Sequence, residues 1–225
     1  DEKGLVGAAD QRMYYSKERG GNIVTAYDEF DYLGYNTSQT LHSLINLANL
    51  IETKRDIGSH GLNHSQGIRT LSIEIAHRLN MTDDKISLIE QASMLHDIGF
   101  ISIPTHLFDK KESLSEAEHN QIKKHPLIGE EIIEMFTQDS HINELSQIKQ
   151  IVGQHHERLD GSGYPRGLKA EQILPEARIL AVTDTYNALR SKRPYRDAFP
   201  RKQALDEIKN FYGPLFDTEI VEHII

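Results

Sequence analysis

From Gln39 onward the apolar residues of this chain recur at spacings of three and four, and strand-like alternation almost vanishes. That period is the turn of an α-helix, so each stretch carries one apolar stripe that must be buried against another helix. Leu41, Leu44, Ala48 and Ile51 form the stripe of a helix over 39–54, which can either pack on its own domain or form a homodimer seam. The spacing repeats in Ile68, Leu71, Ile75 and Leu79, in Leu88, Ala92 and Leu95, in Ile128, Ile132 and Phe136, and in Leu145, Ile148, Val152 and His155. Ser115 with Glu118 predicts a capping box at the start of a further helix. Gly161, Gly163, Pro165 and Gly167 then break the period and mark a long ordered loop over 157–169. Residues 179–189 resume it as a central buried helix, and two helical stretches over 201–212 and 217–225 close the chain. The expected fold class is therefore all-α. A short helix over 8–19, stopped by Gly20-Gly21, and a β-branched strand over 22–27 form an expected helix-strand appendage at the N-terminus.

At 225 residues the chain can bury a real core as one large domain, or as a medium domain with an appendage. Apolar residues at 38% and charged residues at 26% place it among ordinary globular proteins. No apolar run approaches the roughly 20 residues that a membrane-spanning helix needs. The chain begins with Asp1 and shows no targeting leader, so it reads as an excised, cytoplasmic piece whose upstream anchor or sensor is not visible. A net charge of −9 argues against duplex nucleic acid as a partner, while leaving room for a local basic pocket. With no cysteine, any metal must fall to histidine and carboxylate.

Twelve histidines are many for such a chain. His42, His77, His106, His119, His141 and His223 read as surface or core imidazoles. The others sit in more telling places. His96-Asp97 leaves the end of an apolar helix, and an adjacent His and Asp can serve two neighbouring ions with the carboxylate between them. Asp184 lies inside the apolar run Ala181-Val182-Thr183, where a carboxylate is costly to bury unless it is paired or metal-bound. Imidazole and carboxylate without thiolate suit iron, manganese or nickel, with zinc also able to bind. A cluster of such ions acidifies water and clamps a phosphoryl oxygen, as phosphodiesterase chemistry requires.

His96-Asp97-Ile98-Gly99, Ile103-Pro104, His125-Pro126, His155-His156-Glu157 running on to Gly163-Tyr164-Pro165, and Arg193-Pro194-Tyr195-Arg196 together resemble the HD-GYP family. The match covers about residues 56–225. The resemblance implies an HD-superfamily helical bundle, two or three divalent ions, and hydrolysis of cyclic di-GMP to pGpG and sometimes GMP. It implies metal ligation by His64, His96, Asp97, His125, His155, His156 and Asp184, with His96 and Asp97 at the catalytic centre. Members with a third ion use a further acidic ligand four residues before the first His, and in this chain that position is His60, which can coordinate too. His60 would share a helical face with His64, or lie in a solvated loop between Gly58 and Gly61. The resemblance also implies substrate contacts from Gly163, Tyr164 and Pro165, and phosphate contacts from Arg193 and Arg196. These last two lie in a basic cluster with Arg190, Lys192, Arg201 and Lys202.

Two departures stand out. The family usually has Lys after His-Asp-Ile-Gly, and this chain has Phe100; it usually has Asp three residues after the last ligand, and this chain has Asn187. Metal binding should survive both changes, whereas phosphate positioning and turnover are affected. Ala9-Asp10, Met13-Tyr14, Lys17 and Gly20-Gly21-Asn22 resemble the end of a GGDEF domain, so residues 1–30 are expected to be a remnant of one, joined to the hydrolase domain by a linker helix over 31–55.

Overall fold

The computed structural model describes residues 29–55, 64–108, 110, 112–137, 143–192 and 196–224. The expected helix, strand and GGDEF remnant before residue 29 lie outside them, as do His60, His141 and Arg193. The chain divides into compact units at residues 1–42 and 43–225, and the described part of the first is helical throughout. No strand occurs among the described residues, so the all-α expectation holds there.

The helices are α1 (Glu29–Arg55), α2 (His64–Arg78), α3 (Asp83–Leu95), α4 (Glu116–Ile122), α5 (His125–Thr137), α6 (Asn143–Gln154), α7 (Pro175–Arg190), α8 (Arg201–Glu207) and α9 (Thr218–Ile224). α7 begins with Pro175, whose fixed φ and missing N–H suit a first helical turn. Its residues Ala177, Ile179, Leu180, Ala181 and Val182 are buried on every side, as the apolar run predicts. α2 packs on α3 and α7, and α6 packs on α5 and α3. Ile75 and Ala76, Ile86 and Ile89, Ile179 and Val182, and Ile220 and Ile224 meet in a core shared by α2, α3, α7 and α9.

Within residues 43–225 the stripe of α1 is used by the chain itself: Leu44, Ala48 and Ile51 are buried. Glu52 Oε1 accepts the backbone N–H of Ser65 at 2.9 Å, which caps the exposed amides at the start of α2 with a negative charge. The capping box of α4 forms as expected, with Ser115 N–H donating to Glu118 Oε2 at 2.7 Å and Glu118 N–H to Ser115 Oγ at 3.3 Å.

α5 corrects its predicted stripe. Phe136 is 44% exposed, and the buried face runs His125, Gly129, Ile133 instead of Ile128, Ile132, Phe136. Close packing is the reason. A Cβ on Gly99 would stand 1.9 Å from the carbonyl oxygen of His125 and 2.8 Å from the amide of Gly129. Only glycine allows the turn after Asp97 to lie that near α5, and this contact outweighs the apolar period.

Candidate metal centre

Four helix ends converge on one place. His64 opens α2, His96 and Asp97 follow α3, His125 opens α5, and His155-His156 follow α6. Asp184 approaches from the interior of α7. The ligand atoms of His125, His155 and His156 lie within 4.8 Å of one another, and so do those of His64, His96 and Asp184. Asp97 stands between the two groups. Its Oδ1 is 3.5 Å from His125 Nε2, while its Oδ2 is 3.3 Å from His96 Nε2 and 4.0 Å from His64 Nε2. One carboxylate thus faces both groups, one oxygen to each.

Hydrogen bonds on the far side of the rings fix their tautomers. His96 Nδ1 lies 2.8 Å from the Ser93 carbonyl, His125 Nδ1 2.9 Å from that of Ile122, and His155 Nδ1 2.6 Å from that of Val152. A carbonyl oxygen can only accept, so each Nδ1 carries a proton and the Nε2 atoms turn inward. In the neutral rings of His125 and His155 the inward Nε2 is a bare lone pair.

These donors fit divalent ions. His125 Nε2 and His155 Nε2 face each other at 3.2 Å, an arrangement that two lone pairs adopt only with a cation or proton between them. His96 Nε2 is buried and makes no hydrogen bond of good geometry, although Asp97 Oδ2 stands 3.3 Å away. Electrostatics agree. Burial lowers the pKa of His96, yet the charge and contact of Asp97 and the charge of Asp184 outweigh it and raise the pKa to about 9. The carboxylates therefore demand positive charge at this point. Burial first, then the neighbouring imidazoles, pull His155 down to about 3 and His156 well below its ordinary value, so both offer neutral rings. Burial opposes charge on Asp184, but His64 at 3.6 Å and the nearby imidazoles hold its carboxyl far below the usual range.

The loop over 157–169 is tied to this centre. Glu157 is buried, and its Oε1 and Oε2 accept the N–H groups of Arg166 at 2.7 Å and Leu168 at 2.9 Å. A Cβ on Gly163 would sit 2.4 Å from the Arg158 amide, so the loop can close on itself only with glycine there. The Tyr164 ring stacks on His156, with centroids 4.6 Å apart, and Lys123 Nζ lies 5.5 Å from the centre of the Tyr164 ring. Burial raises the pKa of Tyr164.

Of the expected site residues, the structure brings together His64, His96, Asp97, His125, His155, His156 and Asp184, with Gly163 and Tyr164 beside them. Arg196 is engaged elsewhere: its guanidinium donates to the carbonyls of Ala188, Leu189 and Asp197 and lies over the Phe199 ring. It closes the C-terminus of α7. Sequence reasoning gave no role to Glu157, whose signal was a carboxylate flanked by the histidine pair and a glycine-rich loop. It also missed Glu52, which carried no signal at all.

The sequence model of the HD-domain family matches residues 46–220. The chain belongs to this family. Among its relatives are a cyclic di-GMP phosphodiesterase of Thermotoga maritima, 32% identical over 94% of this chain and 53% of that protein, and the cyclic di-GMP phosphodiesterase response regulator RpfG of Xanthomonas campestris pv. campestris, 40% identical over 67% and 39%. A 3'3'-cGAMP-specific phosphodiesterase of Vibrio cholerae is 32% identical over 80% of this chain and 33% of that protein. This HD domain thus spans from a third to about half of the curated relatives it matches. The Bd1817 HDG"Y"P protein of Bdellovibrio bacteriovorus shares the fold with a TM-score of 0.59 at 25% identity, over 72% of this chain and 50% of that one. The HD domain of PgpH from L. monocytogenes, at 14% identity and a TM-score of 0.54 over 81% and 93%, shares the fold alone. No described helix is long and apolar enough to cross a membrane.

Proposed function

We propose that this HD domain is a metal-dependent phosphodiesterase that hydrolyses cyclic di-GMP to pGpG, with GMP as the further product. The reading rests on Asp97, which offers one carboxylate oxygen to each of two ligand groups. Divalent ions there, with iron or manganese suited best and nickel or zinc also accommodated, would supply Lewis acidity and acidify the attacking water. His64, His96 and Asp184 would hold one ion, and His125, His155 and His156 the other. Tyr164 would shield the centre from the side of His156 and offer its ring edge to a purine. Phosphate contact is assigned to Arg193 and Arg196 on the resemblance of Arg193-Pro194-Tyr195-Arg196 alone, and Arg196 would have to release the carbonyls of Ala188, Leu189 and Asp197 to take part. On the same footing His60 is assigned to a third ion, so that His60→Ala should remove about one equivalent, and residues 1–30 to a GGDEF remnant.

Two specific observations favour variants of this reading. Phe100 covers His125 where a cation would help a substrate phosphate, which suits a slow enzyme or a cyclic-dinucleotide-responsive regulatory module. The relatives named for 3'3'-cGAMP favour another cyclic dinucleotide. Product analysis of anaerobically purified, metal-loaded protein separates them. Cyclic di-GMP, 3'3'-cGAMP and pGpG are each supplied, and slow formation of pGpG from cyclic di-GMP is expected. Binding without product from any of them identifies the regulatory module.

A further inference from the structure

His64 is held differently from His96, His125 and His155. Its Nδ1 faces no carbonyl. It faces Asn187 Nδ2 on α7 at 2.8 Å, and the same amide nitrogen donates to the His64 carbonyl oxygen at 2.9 Å. The carbonyl settles which end of the amide points this way, because the amide oxygen in that place would set two acceptors against each other. Both hydrogens of the nitrogen are then committed, one to the carbonyl and one to the ring. A ring nitrogen that accepts cannot carry a proton. In the neutral imidazole the proton must sit on Nε2, the atom that faces Asp184 Oδ1 at 3.6 Å and Asp97 Oδ2 at 4.0 Å.

His125 and His155 have the opposite arrangement, with Nδ1 donating and Nε2 bare. An ion can seat on them directly. At His64 the Nε2 lone pair is available only after the proton leaves or shifts to Nδ1, and that shift sets N–H against the N–H of Asn187. We propose that Asn187 is a positioning residue that holds His64 in the Nε2–H tautomer and thereby weakens the metal position formed by His64, His96 and Asp184. The inference rests on the two-ion reading above. It adds that the two positions are unequal by construction, with α7 supplying both a ligand, Asp184, and the brake on a second ligand, three residues later.

The test uses the whole chain, stripped with chelator and labelled with ¹⁵N. Two-bond ¹H–¹⁵N correlations report which nitrogen of each ring is protonated, and Mn²⁺ titration reports the affinity of each position. In the wild type, His64 should carry its proton on Nε2, and His125 and His155 on Nδ1. Asn187→Leu removes the donor without adding charge, should free the His64 proton to sit on Nδ1, and should tighten one Mn²⁺ equivalent by about 10- to 100-fold, the usual scale of a partner behind a metal ligand. A wild-type His64 protonated on Nδ1 overturns the inference without need of any variant. Tighter Mn²⁺ binding by Asn187→Leu with the tautomer unchanged overturns it too, since the proton would then play no part in the gain. Uptake of fewer than two equivalents by the wild type counts instead against the two-ion reading.

Discussion

The Phe100 ring lies flat on the His125 imidazole, with centroids 4.1 Å apart and planes 19° from parallel. Phe108 meets Phe100 edge-on at 5.2 Å, so the pair walls one side of the centre with apolar surface. Phe100 stands where the HD-GYP family that the sequence resembles usually has a Lys, and on the proposed reading that Lys would meet a substrate phosphate. An electrostatic contact of that kind is worth about 10²- to 10³-fold in rate. Phe100→Lys keeps an aliphatic stem on His125 and adds the charge, so turnover of cyclic di-GMP should rise by about 10-fold or more while elemental analysis shows unchanged metal content. An equal or lower rate at unchanged metal content would contradict this.

Glu157, itself buried, ties the loop to the centre by accepting two of its backbone amides. Removing the carboxylate takes this charged partner from both N–H groups and leaves a hole at a buried position. Glu157→Ala should therefore destabilise the fold by about 2–4 kcal/mol, read from urea denaturation, and should loosen the stacking of Tyr164 on His156. A change under about 0.5 kcal/mol would show that the loop holds without it.

Acid should unfold the metal-free chain early. His125, His155 and His156 are kept neutral chiefly by burial, and His155 titrates near 3 instead of 6.5. Unfolding returns them to ordinary values, so between about 6.5 and 3 the unfolded chain binds more protons and stability falls as pH drops. His96 has the opposite sign. Its pKa, raised to about 9 by Asp97 and Asp184 against burial, contributes stability that is full below 6.5 and lost as pH rises through about 9. Thermal melts of chelator-treated protein should show the Tm falling on both sides of neutrality. A flat Tm from about pH 6.5 down to 4 would be inconsistent with buried neutral imidazoles.

Much of this was legible in the residues. The three-and-four spacing predicted the buried stripes of α1, α2 and α6, and Ser115 with Glu118 predicted a capping box that forms. The fold gathers His64, His96, Asp97, His125, His155, His156 and Asp184 of the ligands named from the sequence, while His60 lies outside the described residues. The period failed where backbone proximity decided the packing: α5 turns on Gly129 because Gly99 abuts His125, a contact between residues far apart along the chain. Tautomers were equally hidden. Nothing in the order of residues says that Asn187 lies behind His64, or that carbonyls lie behind His125 and His155.

The central claim is that two ions share the Asp97 carboxylate, and elemental analysis of protein purified without chelator tests it most directly. The ligand set offers each ion three side chains besides Asp97. The wild type should carry at least two metal equivalents per chain, and Asp97→Ala should lose most of them while circular dichroism shows its helices retained. A wild type with one equivalent or fewer, or a folded Asp97→Ala that keeps both, would contradict the shared carboxylate.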